Sequence, residues 1–525
     1  MKAIKFLTLL MICISLVGCE EKQEVIKKEE VKETLNIINI EDINLTMVKP
    51  KTINPVNNTD KTVGYVLSLI YDGLFSIDEN YNLVPQLVNE YSISQDGKSI
   101  NLSLKDATWH DGKPITSYDV KFTVDTIKKN QESPYYKLVE NISQVSVIDN
   151  KNFRIEFINN YSFSVDTLIF PIIPKHKLEG ATDINDCKFN LVGSGKYKIE
   201  AYQERKYMKL VVNENYYKKS DIKSKNINVE IVPDEEAQSA MVLSLNSDIS
   251  KVDLNDLSKF YEEEFKIVNF EGRDYESVIF NYNNEFIRDV NFRRAIVSCI
   301  NRQRVLEEAY IGDATVVDFP LNSKSKYYTT SKSINYNIDN AKKYLNNIKL
   351  QKTDTTGATT SSNVYTQEEV KNKLKQLNLK IIVNIENSER IKTAHIISQG
   401  LKEIGIKSDV IELTPEDMDK ALIEKQYDLA LVGWELSSIP DATNIIQSIG
   451  YTDDKLQGYI NSLRSSVSEN QIKDIYKSIQ NYVNDNALFM SLVIRNDYIV
   501  INQRLKGKIT PNSFNVYDGI SNLEI

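Results

Sequence analysis

Residues 380–432 read KIIVNIENSERIKTAHIISQGLKEIGIKSDVIELTPEDMDKALIEKQYDLALV, and this stretch decides the fold. Residues 380–385 are a β-branched, apolar run of strand length. Ala394, Ile397, Leu401 and Ile404 then recur at helical spacing and stop at Gly405. Residues 406–413 are extended again. Thr414-Pro415-Glu416-Asp417 follows with a capping hydroxyl, a proline at the first helical position and acidic residues in the first turn. Residues 427–432 form a third strand. The order β-α-β-α-β predicts parallel strands joined by right-handed crossovers, hence an α/β sheet. Open sheets of this kind bind ligands beyond the carboxyl ends of their strands. The loop expected to begin at Gly433-Trp434 is therefore the first candidate site.

The flanking sequence carries its own signals. Tyr91 and Ile93, the Asp96-Gly97 turn, and Ile100, Leu102 and Leu104 predict two alternating strands of a hairpin. Thr116 to Asp119 has capping-box spacing, and Val120, Val124 and Ile127 continue one helical face. Gly193-Ser194-Gly195 is a tight turn before the alternating Tyr197, Ile199 and Ala201. It is not a phosphate-binding loop, because Tyr197 stands where Ser or Thr is needed and no glycine lies at the required distance upstream. Residues 353–363 (TDTTGATTSSN) lack apolar periodicity and read as a surface loop. Thr366 then caps a short helix carrying Val370, Leu374 and Leu377.

A chain of 525 residues needs two or more cores. Its first 18 residues are a separate object. Lys2 and Lys5 give a basic start, and the apolar run 6–17 is about 12 residues where a membrane span needs about 20. This reads as a signal peptide. Residues 20–34 (EEKQEVIKKEEVKET) read as a solvated tether. Without residues 1–18, 62 basic side chains face 73 acidic ones, a formal charge of −11. That balance argues against nucleic acid as a partner, since phosphate binding needs a basic surface. The wealth of Asn, Lys and Ile matches AT-rich coding and points to a Gram-positive source. Of four cysteines, Cys13 leaves with the signal and Cys19 directly follows it. Cys299 falls on an apolar helical face with Phe292, Ala295, Ile296 and Ile300, where a buried free thiol is expected. With Cys187 far away in sequence, no disulfide framework is implied.

Leu16-Val17-Gly18-Cys19 resembles the lipobox of bacterial lipoproteins, which implies diacylglycerol on Cys19 and a lipid-anchored protein on the outer face of the cell membrane. Elsewhere, several motifs in order resemble the peptide/nickel class of ABC-transporter solute-binding proteins, family 5. They are Ile53-Asn54-Pro55, Tyr71-Asp72-Gly73-Leu74, Val84-Pro85-Gln86-Leu87, Trp109-His110-Asp111-Gly112-Lys113-Pro114, Gly193-Ser194-Gly195-Lys196-Tyr197, Phe292-Arg293-Arg294-Ala295 with Asn301-Arg302, and Tyr427-Asp428-Leu429-Ala430 with Trp434. The resemblance implies a two-lobed α/β fold of the periplasmic-binding-protein type (type II, large peptide-binding cluster) with an extra subdomain on the amino-terminal lobe. It places the first lobe at 35–66, 189–275 and 495–525, the subdomain at 67–188, and the second lobe at 276–494 with a low-complexity loop at 351–366. A monomer would close on a peptide and deliver it to an ABC permease and its ATPase, without a cofactor.

The resemblance also nominates residues. Trp434 is the leading ligand contact, with a core aromatic as the plainer alternative, and Gly433 and Glu435 offer backbone groups beside it. Peptide-binding relatives place an Asp about three residues after this Trp, where it pairs with the ligand's α-amine. Ser437 stands there in this chain, with Glu435 and Asp441 the nearby carboxylates and Asp441 also suited to cap a helix. Thr59 and Lys61 lie on a loop that faces the cleft in relatives. Trp109, His110 and Asp111 read as fold residues. The three histidines, His110, His176 and His395, are far apart in sequence, with no HExxH, CxxC or nucleophile-elbow spacing, so an enzyme finds no support. Alternatives within the fold are a metal chelate or sugar as ligand, or a signalling or adhesion lipoprotein that does not transport.

Overall fold

The computed structural model describes residues 41–185, 192–219, 221–329, 333–353 and 359–525, with strands numbered β1 to β19 along the chain. The first sheet joins β1 (Ile43–Val48), β10 (Asn226–Val232), β9 (Tyr207–Val212) and β8 (Tyr197–Gln203) in that order. β1 runs parallel to β10, so residues almost 200 positions apart share one core of Ile43, Leu45, Ile227 and Val229. A second, antiparallel sheet has the order β4 (Val88–Ile93), β5 (Ser99–Leu104), β7 (Asn152–Phe157), β6 (Ile142–Val147). It packs with the helix Ser117–Lys129 around a separate core that includes Trp109, Val124 and Phe153. Ile100, Leu102 and Leu104 face that core. Tyr91 and Ile93 do not. They are exposed on the other strand, and Tyr91 instead meets the edge of Phe75. A ribbon of β2 (Phe75–Ile77) and β3 (Leu83–Pro85) adjoins this part.

The third sheet holds β11 (Ile249–Val252), β19 (Met490–Asn502), β12 (Phe265–Phe280), β18 (Leu429–Glu435), β16 (Asn378–Asn384) and β17 (Lys407–Leu413) in that order, with β13 (Ala314–Val316) also on β19. Its β17-β16-β18 part is parallel, as the deciding stretch predicts. Between these strands run the helices Ser388–Glu403 and Pro415–Ile423, the first followed by Gly405 at φ +85° and the second capped by Thr414. Ile381, Val383, Leu429 and Leu431 face one core, while Ile382 and Ala430 face another. Both faces are covered, which is why these strands read as nearly continuous apolar runs. Cys299 is buried and free against the first of these cores, and burial pushes its thiol pKa up. Cys187 lies outside the described residues.

Two of these strands are shared between lobes. Phe270, Ile499 and Ile501 pack in the first-lobe core, whereas Val278, Phe280, Met490 and Leu492 pack in the second. β12 and β19 thus carry the chain between lobes, and their pairing slips between Glu271 and Tyr275 and again between Glu276 and Ser277. Such irregularities interrupt the ladder and let paired strands bend. The antiparallel subdomain also reaches across. Phe163, only 1% exposed, sits in the second-lobe core against Tyr327 and Tyr476. Beside it Tyr161 donates to Asp441 Oδ2 at 2.8 Å, and Ser162 donates to the carbonyl of Leu463.

Two expectations need correction. Gly433, Trp434 and Glu435 do not open a loop, because β18 continues through them, paired with Glu276, Tyr275 and Asp274 of β12. The neighbouring strand supplies a hydrogen-bonded ladder that the local sequence does not reveal. Residues 353–363 are not wholly loop either, since β14 (Gln351–Thr353) pairs with β15 (Thr359–Val364). Threonine-rich segments suit such a ribbon even without apolar alternation.

Candidate functional site

The helix Lys61–Leu67 begins the site. Asp60 caps it by accepting from the Val63 backbone N–H at 3.0 Å, and this fixes Lys61 as its first residue rather than part of a loop. Thr59 and Lys61 are exposed and line a cavity of about 740 Å³. That volume is within the range of sites for small organic ligands. Its lining comes from residues 55–86, 134–135, 169–171, 196–219, Arg273 and 513–521. Aromatic rings (Tyr65, Tyr135, Tyr216, Phe514) alternate there with charges of both signs.

Arg273 forms the border with the second lobe. Its guanidinium lies 4.4 Å from the centre of the Phe514 ring, donates to the Leu436 carbonyl at 2.6 Å and meets Glu435 at 3.1 Å. Lys61 reaches the same Glu435 oxygen at 3.6 Å. The structure therefore brings Lys61 and Glu435 together, two nominated residues far apart in sequence. Arg273 was missed by sequence reading, since an arginine within a strand carries no local sign of its partner.

The remaining nominees serve other tasks. Trp434 is half-buried, its ring stacked on Tyr275 with centroids 6.1 Å apart, and it packs against the second-lobe core outside the large cavity. Gly433 leaves room for an ion pair: a Cβ there would meet Arg390 Nη2 at 2.1 Å. Arg390 uses that space to hold the buried Glu276 carboxylate with two hydrogen bonds, at 2.7 and 3.1 Å. Ser437 accepts from the Ile439 N–H at 3.1 Å, and with Asp441 lines a small cavity of about 40 Å³ that Arg273 also borders. Both Asp441 oxygens are engaged, by Tyr161 and by the Thr443 N–H at the start of the helix Thr443–Ser448. Neither Glu435 nor Asp441 is a carboxylate without partners.

The glycine turn positions the opposite wall. Ser194 and Gly195 both donate to the Ile70 carbonyl, and a Cβ on Gly193 would lie 2.1 Å from that oxygen, so the close approach requires glycine. His110 braces the turn. Its Nδ1 accepts from the Gly193 N–H at 3.1 Å, and Nε2 lies 3.0 Å from the Gly195 carbonyl, where a neutral ring protonated on Nε2 donates. Burial pulls its pKa down to about 4. Trp109 is 1% exposed beside it. His176 comes to Asp111 at 2.8 Å, so two of the histidines share a neighbourhood, yet no group of three or more metal-ligating side chains occurs among the described residues. No helix among those residues is long and apolar enough to cross a membrane, and Cys19 lies outside them.

The oligopeptide-binding protein AppA of Bacillus subtilis is 22% identical over 494 residues, 87% of each chain. The peptide transport periplasmic protein SapA of Haemophilus influenzae is 23% identical over 430 residues, 71% of each. In fold, the chain is similar to the ABC transporter substrate-binding protein CtaP of Listeria monocytogenes, with a TM-score of 0.71 at 21% identity, over 92% of this chain and 99% of that one. The family model described as bacterial extracellular solute-binding proteins, family 5 (middle), matches residues 82–457. With two lobes joined by β12 and β19 and a cavity walled by the first of them, the chain belongs to the family 5 bacterial extracellular solute-binding proteins.

Proposed function

We propose that this protein captures peptides between its lobes and delivers them to the permease of an ABC importer, as a lipoprotein anchored through Cys19 on the outer face of the membrane. The observation that carries the reading is the 740 Å³ cavity, whose wall mixes aromatic rings, amides and charges of both signs. A peptide offers the matching set: apolar side chains, backbone N–H and C=O groups, and a charge at each end. Each hydrogen bond contributes only about 0.5–1.5 kcal/mol net, so a useful affinity needs several in a site closed to water. The β12–β19 crossing supplies the bend for closure, and ligand would shift the population toward the closed form. The names of the peptide-binding relatives support this ligand class.

One experiment tests ligand and anchor together. Native protein is extracted from membranes in detergent and analysed by mass spectrometry, intact and after release of bound small molecules. The expected result is a chain beginning at a diacylglyceryl-modified Cys19, accompanied by short peptides. A sugar or metal chelate in place of peptides overturns the ligand class. A chain without added lipid mass overturns the anchor.

A further inference from the structure

The large cavity has one corner where charge is not balanced by direct pairing. Asp72, Lys196, Tyr216, Lys218 and Asp518 all line it. Ser194 sets the corner, because its Oγ accepts the Asp72 backbone N–H at 2.9 Å and the turn that holds it leads directly into Lys196. The Asp72 carboxylate takes the Tyr217 hydroxyl at 2.9 Å. Lys196 Nζ finds only a hydroxyl, Ser521 Oγ at 3.1 Å. Lys218 Nζ donates to the Gln86 side-chain carbonyl and lies 5.8 Å from the centre of the Tyr217 ring. Among the described residues, neither ammonium has a carboxylate within 4 Å.

An ammonium drawn partly out of water without a direct ion pair is unfavourable, and Asp72 and Asp518 act on these two only from beyond 4 Å. Burial holds the Lys218 pKa below the usual lysine range, against the pull of Asp72. Burial likewise pushes Asp72 and Asp518 up, against the pull of Lys196 and Lys218. An entering carboxylate would meet two half-buried ammoniums with hydrogen-bonding capacity to spare. The Tyr216 ring lines the cavity beside them.

We propose that Lys196 and Lys218 form a carboxylate-binding corner, so that the cavity selects peptides presenting a carboxylate there. The inference rests on the peptide reading above. The carboxylate can be a carboxyl terminus or an acidic side chain, and the two sources are separable.

The test uses purified protein and synthetic random peptide libraries. One library has free carboxyl termini and one has amidated termini, each made with and without Asp and Glu, and captured peptides are counted by mass spectrometry. Wild type is expected to retain at least one carboxylate-bearing library over the amidated library without Asp and Glu by about tenfold, the scale of one charge-assisted hydrogen bond. If amidated peptides gain retention when Asp and Glu are present, the corner reads side chains; if free termini gain it without them, it reads the terminus. Lys218→Gln and Lys196→Gln should each erase most of the preference, while Lys218→Arg should keep it. Equal retention of all four libraries overturns the inference and leaves the peptide reading standing. Capture of none of them overturns both. A preference unchanged in both Gln variants also overturns it, because the selecting charge then lies elsewhere.

Discussion

The two sides of the site differ in how they use their polar groups. On the second-lobe side, from Gly433 to Asp441, nearly every distinctive residue serves the protein itself. Gly433 makes room for the Arg390–Glu276 pair, Glu435 is held by Lys61 and Arg273, and Asp441 by Tyr161 and a helix start. On the first-lobe side, Lys196 and Lys218 donate hydrogen bonds only to neutral groups and line the open cavity. The contrast teaches that residues recognisable by their spacing are those the fold holds in place. On the proposed reading, ligand chemistry sits on Lys218, outside any quoted motif, and on Lys196, whose motif is recognised by its glycine turn rather than by its charge.

Three measurements would break or sharpen that contrast. The largest effect is expected at the clamp on the second-lobe side. Phe163→Ala removes a ring buried against Tyr327 and Tyr476 and should cost about 3–5 kcal/mol in urea denaturation. A loss under about 1 kcal/mol would mean that this side does not depend on the clamp. The next concerns the first-lobe turn. His110 has a folded pKa of about 4, below its unfolded value near 6.5, so folding favours the neutral ring. Its contribution is complete above about pH 6.5 and lost as pH falls toward 4, by roughly 3 kcal/mol. Denaturation of wild type and His110→Gln across that window should show the steeper decline in wild type, and parallel curves would remove His110 as the brace. The smallest effect belongs to the bridge between the sides. Glu435→Gln should change stability by less than about 1 kcal/mol, because its pair with Lys61 is exposed. A loss above about 2 kcal/mol would place Glu435 among the structural supports.

How far the sequence could be read follows the same physics. The β16–β18 unit was legible because each element carries its own signals, such as the Thr414 cap and the Gly405 stop. The family was legible through motifs that turn out to shape the backbone. The Gly193–Gly195 turn closes on Ile70, and Trp109 and His110 pack beside it. β12 and β19 were hard to see. The centre of β12 carries Glu271, Arg273, Asp274 and Glu276, that of β19 Arg495, Asn496 and Asp497, and only pairing between distant strands makes such stretches extended. The end of β18 was misjudged for the same reason, since β12 continues its ladder through Glu435. Phe163 gave no sign of its destination in another lobe. The corner of Asp72, Lys196 and Lys218 was equally invisible, because Asp72 and Ser194 stand 122 positions apart and meet only after folding.

The route of the chain through the first lobe bears on when the protein can fold. Ser68 Oγ meets the Asn515 side chain at 3.1 Å across 447 positions, and residues 513–521 complete the cavity wall. During synthesis the early segments therefore wait, without their partners, until nearly all of the second lobe has been made. Contacts this distant in sequence slow folding. The cavity is therefore a late product of the chain: its wall closes only after residues 513–521, beyond the whole second lobe, have been made.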